Sequence, residues 1–329
     1  MLRRLINRSP TIGKYLLRRL LYSVPTIIAI TVIIFIVMRV VPGDLLTAFY
    51  GTDEVSALTP KQREAIMDQL GLSDPLYVQY FRWVGGVVTG DLGKSFFRTM
   101  TVAEYLAHRA PISIEIALLA TLLSWVIGIP VGLISALRRN SILDYVGRFL
   151  TIFFLAVPSF WLAMLTVVFF VLVFNYHSAP YVIQLWEDPL ANLSIIWRPS
   201  IILALGAAAP LARMMRATVL EVMSEDYIRT ARSKGLAQAT VVSRHAIRNA
   251  ILPTVTYSGI IFGFLLGGSV AVEQAMGARG LGEILVVAIT ERDVIVVQNL
   301  VLLYGLIWTF INVAVDLTYA WLDPRIRYE

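Results

Sequence analysis

The chain has 329 residues, of which 57% are hydrophobic and 15% charged, and its formal net charge is +6. Soluble domains carry nearer a quarter of charged residues, so a typical soluble fold is excluded and the positive charge is not a nucleic-acid signal. Cysteine is absent, which rules out disulfides, thiolate nucleophiles and cysteine metal sites, and the three histidines, His108, His177 and His245, lie far apart in sequence.

Several apolar runs reach the ~20 residues that a helix needs to cross a bilayer. They predict an all-α polytopic membrane protein with six transmembrane helices rather than a barrel of short alternating strands. The first run covers residues 20–41 and follows Lys14, Arg18 and Arg19. It is too long for a signal-peptide core and has no small-residue cleavage site, so a retained helix is expected. Pro25 falls near the expected start, where a missing N–H costs least, and Pro42-Gly43 ends the run.

Residues 42–110 form the longest polar region. Thr59-Pro60 opens a short helix that Gly71 closes. A second helix starts at Asp74-Pro75, and its aromatics Tyr77, Tyr80, Phe81 and Trp83 suit a headgroup zone. Gly90-Asp91-Leu92-Gly93-Lys94-Ser95 is a turn-rich link that lacks the spacing of a phosphate loop. Another short helix is expected over 101–109.

The core, residues 111–329, holds the other five spans. Span two covers 111–137, and Glu115 near its end is read as snorkelling or capping, with a transport role as the alternative. Span three covers 149–174 with a mild interruption at Pro158. An outer segment, 175–199, carries Tyr176, Tyr181, Trp186 and Trp197 as interface residues. Span four covers 200–219; its small residues 204–209 favour a tight helix contact. Span five covers 254–272. Gly259, Gly263 and Gly267 recur every four residues and share one face, which either meets another helix or lines a path. A short helix over 281–289 precedes span six, 295–318. Asp316 in that span is expected to cap or to pair with an arginine rather than to relay protons.

Six spans place both termini on one side. The segments on that side hold 18 Lys and Arg and the opposite segments hold 10, which makes the terminus side cytoplasmic and the 42–110 region extracytoplasmic. Between spans four and five lies a long basic stretch, residues 224–253, cytoplasmic by the same count. A purely solvated loop explains its charge but not its apolar residues, its central Gly235 or its closing Pro253; an attachment surface for a soluble partner explains all three. Glu225-Asp226 is expected to cap the helix that follows. No metalloprotease, nucleophile-elbow or Walker pattern occurs, so the chain is read as a non-enzyme with no metal site. Few ionisable residues fall in the span centres, which argues against a self-powered carrier.

The 224–253 stretch resembles the EAA loop of permeases from binding-protein-dependent ABC importers. Arg229-Thr230-Ala231 precedes Gly235, and Leu252-Pro253 follows at the family's distance. Arginine in place of the motif's glutamate is similar to the dipeptide/oligopeptide/nickel branch, as is Asp226-Tyr227-Ile228-Arg229-Thr230-Ala231-Arg232-Ser233-Lys234-Gly235-Leu236. So are Tyr15-Leu16-Leu17-Arg18-Arg19, Arg39-Val40-Val41-Pro42-Gly43-Asp44 and Gly90-Asp91-Leu92-Gly93-Lys94-Ser95, and the long region after span one is similar to the first permease of a pair. Leu45, Arg279 and Val294-Ile295 depart from the branch pattern on the outer side, where they bear on cargo.

The resemblance implies a permease of a prokaryotic inner membrane. Its implied partners are a paralogous second permease, two cytosolic ABC ATPase subunits or domains, an extracytoplasmic substrate-binding protein and membrane lipid, with no nucleic acid. ATP and Mg belong to the ATPases, and this chain binds no cofactor. The implied docking residues are Asp226, Tyr227, Arg229, Ala231, Arg232, Lys234, Gly235, Leu236, Val241, His245, Arg248 and Asn249, with Leu236, Val241 and Val242 as apolar anchors. Gly259, Gly263 and Gly267 are candidates for the translocation path. Di- or oligopeptides are the expected cargo; oligosaccharides, nickel and glutathione-like compounds are the alternatives inside the branch. A secondary carrier or channel, and a membrane enzyme or scaffold, are the alternatives outside it.

Overall fold

The computed structural model describes residues 10–40, 58–69, 73–95, 97–176 and 181–322. Its helices, in chain order, are α1 (Pro10–Val40), α2 (Pro60–Gln69), α3 (Leu76–Thr89), α4 (Val102–Leu137), α5 (Ile142–Ala156), α6 (Ser159–Phe174), α7 (Pro189–Ser224), α8 (Asp226–Ser233), α9 (Ile247–Gly268), α10 (Val270–Met276), α11 (Leu281–Glu291) and α12 (Val294–Leu322). The expected all-α polytopic architecture holds. Among the described residues five helices are long and apolar enough to cross a membrane, and a sixth crossing results if α5 and α6 count as one.

Several expected boundaries move. α1 begins at Pro10, ahead of the apolar run, because Leu and Arg propagate a helix well and Pro at the first position loses no bond. Pro25 is therefore internal, not near the start. Pro42-Gly43 and Gly71 lie outside the described residues. Thr59 does cap α2, with Gln62 reaching back to its N–H at 2.9 Å. The short helix expected over 101–109 fuses with span two into one 36-residue helix, α4, which Thr101 and Glu104 start with a capping box. At 1.5 Å per residue α4 is ~54 Å long, well beyond a hydrocarbon core.

The mild interruption at Pro158 is a sharp break: α5 and α6 meet at 94°. Proline removes a helix donor and pushes Val157 to an extended backbone, with ψ 123°. Span four likewise starts early. Asp188 accepts from the N–H groups of Leu190 and Ala191, both at 3.0 Å, and Pro189 takes the first helical position. The end of the expected outer segment, from Pro189 on, thus supplies the first turns of α7.

The core sits where α4 packs along α7. Ala204, Ala207, Ala208, Ala209, Leu211 and Ala212 are buried there. A β-carbon on Gly128 would lie 2.8 Å from the Ala208 carbonyl oxygen, and one on Gly132 would strike that of Ala212. Small residues thus let two long backbones approach, as the 204–209 stretch predicts. Ile112, Ile116, Leu203, Leu266, Val272 and Met276 continue this core onto α9 and α10. Of the aromatics on α3, Tyr77 and Phe81 are exposed, whereas Tyr80 and Trp83 pack on Phe35 of α1 with ring centroids at 5.4 and 6.2 Å.

A candidate docking loop

The connection from α7 to α9 is structured throughout. α8 begins after Glu225, with Asp226 in its first turn at the positive end of the helix dipole. The expected cap is electrostatic only, since Glu225 makes no side-chain cap bond. Asp226 instead pairs with Arg229 at 3.2 Å. Ile228 and Ala231, three residues apart, turn inward onto Val241 and Ala246, with Val222 and Met223 of α7 against them. After Lys234 the backbone reverses at Gly235, φ +77°. A β-carbon there would meet nothing within 4 Å, so the need for glycine is conformational rather than steric. One helical turn, Gln238–Thr240, leads into a π-helix, Val241–Ala246, that runs on into α9. Such wide turns recur at functional sites.

Two hydrogen bonds brace the loop. Asn249 Nδ2 donates to the Tyr227 hydroxyl at 2.8 Å, tying α9 to α8. Thr218 Oγ1 donates to the Ala250 carbonyl at 3.0 Å, tying α7 to α9.

Asp226, Tyr227, Arg229, Arg232, Lys234, Gly235, Leu236, Arg248 and Asn249 form an exposed rim around this frame, and His245 is half-buried. Ala231 and Val241 correct the expectation. Their exposures are 7% and 0%, and both belong to the loop's own core. Val242 is buried as well, so Leu236, 40% exposed, alone of the three expected anchors faces outward. Val241 and Val242 lie in the π-helix and are buried there, which residue type alone does not reveal.

The glycine face of α9 divides. β-carbons on Gly259 and Gly263 would collide with Val315 and Trp308 of α12. The helix-contact alternative accounts for both glycines without a path. Gly267 meets nothing within 4 Å and is exposed, and with Gly263, Leu266 and Trp308 it lines an apolar groove of about 390 Å³ between α1, α9 and α12.

Residues 128–328 match the family model for the binding-protein-dependent transport system inner membrane component, and residues 12–117 match the model for its N-terminal region. The chain belongs to this family. It is thus a membrane-embedded permease subunit of an ABC importer, and the family is a non-catalytic transport component. A Brucella abortus (strain 2308) protein, provisionally named a peptide transport system permease protein, is 39% identical over 95% of this chain and 99% of its own length. The oligopeptide transport system permease protein of Bacillus subtilis (strain 168) is 34% identical over 95% and 99%. The glutathione transport system permease protein of Escherichia coli O6:H1 is 34% identical over 96% and 99%. The inward-facing MetNI methionine ABC transporter shares the fold, with TM-score 0.53 at 20% identity, over 66% of this chain and 96% of that one.

Away from the loop, the permease buries polar groups that the sequence reading passed over. Glu273 of α10 is fully buried. Its Oε1 accepts from Ser113 of α4 at 2.8 Å and from Ser269 at 2.6 Å, and its Oε2 accepts from the Gly282 N–H at 2.8 Å. Ser113 in turn accepts from the Leu281 N–H at 2.8 Å, so α4, α10 and the start of α11 share one network. Nearby, the Asp293 carboxylate accepts from Ser95 and from the Val296 N–H. Arg98 forms a fork with Glu291 at 2.6 and 3.4 Å, and that bond holds its guanidinium above the ordinary value. Trp83 Nε1 donates to Asn299 at 3.1 Å, and Arg39 reaches Gln79 and Gln298. Through Trp83, Ser95 and Arg98 these bonds fasten α3 and the link after it onto α11, Asp293 and α12.

Glu115 accepts from Asn192 Nδ2 at 2.8 Å, an interhelical contact rather than a solvent-facing one. Asp316 pairs with Arg19 at 2.8 Å, the arginine partnership expected of it. Asp144, at the start of α5, is fully buried and receives Arg216 of α7 through two bonds of 2.9 and 3.0 Å. Asp144 follows Ser141 by three residues and reads as a helix-start acid, which conceals its partner; the basic pair Arg213 and Arg216 reads as membrane-edge charge. Among the described residues no cluster of three or more metal-type side chains occurs.

Proposed function

We propose that this permease forms half of the translocation path of an ATP-driven importer for di- or oligopeptides, together with a paralogous permease. One of the two ABC ATPases docks on the 224–253 loop, and an extracytoplasmic binding protein delivers cargo to the opposite face, where the 42–110 and 274–294 regions lie. The observation that carries this reading is the exposed rim of α8, Gly235 and Leu236 on a braced frame, in a chain matched by the permease family along nearly its whole length. Arg229, Arg232, Lys234 and Arg248 form the rim charge, and Leu236 is the apolar anchor. Peptide cargo is supported by the names of the Brucella and Bacillus relatives. Glutathione, itself a small peptide, is the second reading on the strength of the Escherichia relative.

Six crossings with both termini in the cytoplasm accord with the charge count. They also accord with the packing: α1 and α12 run antiparallel, with Arg19 on Asp316 near one end and Arg39 on Gln298 near the other. α4 and α7 run parallel, with Glu115 near Asn192, Gly128 near Ala208 and Gly132 near Ala212. The α5–α6 pair then counts as one return crossing. Gly267 remains the candidate path residue among the three glycines.

Purification of this chain from its native membrane in mild detergent tests the assembly. Recovery of a second permease and of ATPase subunits is the expected result. This chain alone, after crosslinking and without ATPase activity, would overturn the importer reading. In proteoliposomes the assembled complex is expected to import a radiolabelled tripeptide with ATP. Glutathione import in its place selects the second reading, and uptake of an oligosaccharide or nickel instead of either overturns the peptide assignment.

A further inference from the structure

Asp144 and Arg216 stand out from the other polar contacts by their two-bond geometry and by their place. The carboxylate is fully buried, receives both Nε and Nη2 of Arg216, and also accepts from the Asn140 N–H at 3.0 Å, with Arg148 at 3.5 Å. The carboxylate is withdrawn from water while Arg216 stays partly exposed, so the guanidinium is what compensates its charge, and the place of the pair in the fold matters. Arg216 lies eight residues before the end of α7, ~12 Å along the helix from the docking loop. The loop is packed onto that same end of α7, where Val222 and Met223 meet Ile228 and Ala231. Asp144 lies at the start of α5, which Gly147 holds closely against Ser135 of α4. α5 ends at the 94° break, and α6 beyond it packs on α10, the helix of Glu273.

We infer that the Asp144–Arg216 pair is a positioning clamp that couples the docking loop to the α5–α6 hinge. The inference rests on the docking-loop reading above. A tilt of α8 moves the end of α7 as one body. The two-bond geometry of the guanidinium fixes the direction of the carboxylate as well as its distance, so α5 follows α7 rather than sliding past it. The break at Val157-Pro158 lets α5 rotate without unwinding α6, and α6 carries the displacement toward α10. Neither residue touches ATPase or cargo; they act through α5.

The test uses the whole reconstituted complex, with both permeases, the ATPases and the binding protein, and a radiolabelled tripeptide as probe. Asp144→Asn is expected to leave assembly and basal ATP hydrolysis in place and to lower peptide imported per ATP by about tenfold. The reversed pair, Asp144→Arg with Arg216→Asp, is expected to restore most of that ratio. Arg216→Lys, which keeps the charge and loses the fork, is expected to fall between. A wild-type ratio in assembled Asp144→Asn or Arg216→Lys complexes overturns the clamp. Failure of both variants to assemble assigns the pair to folding and overturns it equally. If the wild-type complex itself shows no ATP-dependent uptake, the importer reading fails instead, so the two failures are distinct.

Discussion

Two charged regions, one at each end of the permease, handle charge in opposite ways. At the end that holds Glu273, Asp293 and the Arg98–Glu291 fork, polar side chains are buried or clasped by partners within the chain. At the end that holds α8, Arg229 pairs with the exposed Asp226, and Arg232 and Lys234 face outward. A polar group withdrawn from water must find its partner inside the fold, whereas an exposed cation contributes little until a partner arrives. The first region is therefore anchored within the fold and the rim of α8 is presented, even though Asp144 and Arg216 are paired one helix away from it.

Substitutions sharpen that contrast through a melting measurement on the purified chain. Glu273→Ala has the largest expected effect, about 3 kcal/mol of destabilisation, because two hydroxyls and a backbone N–H lose their acceptor in a buried site. Asp293→Ala follows at about 2 kcal/mol, from stranding Ser95 and the Val296 N–H. Gly235→Val is expected to cost about 1–2 kcal/mol through its left-handed backbone alone, since no neighbour crowds the site. Arg229→Ala combined with Arg232→Ala is expected to shift stability by less than about 0.5 kcal/mol while abolishing ATPase recovery in a pull-down. A double-arginine variant that melts early, or a Glu273→Ala variant that melts like wild type, would erase the distinction between the ends.

The candidate site was legible in part, and the reason is specific. The motif through Asp226, Arg229 and Gly235 marked the loop, and the left-handed glycine stands where the turn was expected. Val241 was expected as an outward anchor from the resemblance and its apolar side chain, which do not distinguish an apolar residue that meets a partner from one that packs under the loop. Gly259 and Gly263 were legible as a contact face but not as to its partner, since the residues they meet, Val315 and Trp308, come more than forty residues later in sequence.

The sequence by itself determined the membrane class, the number of apolar runs and the place of the candidate docking loop. A bilayer demands long apolar helices, and a basic, glycine-hinged stretch between two of them departs from that demand visibly. Only the tertiary structure decided that α4 and α7 run unbroken past their apolar segments, that Pro158 bends its helix by 94°, and that Asp144 and Glu273 are interior anchors. Those outcomes depend on which helix lies opposite. Hydrophobic periodicity records that a face is buried and leaves the identity of the neighbour to packing.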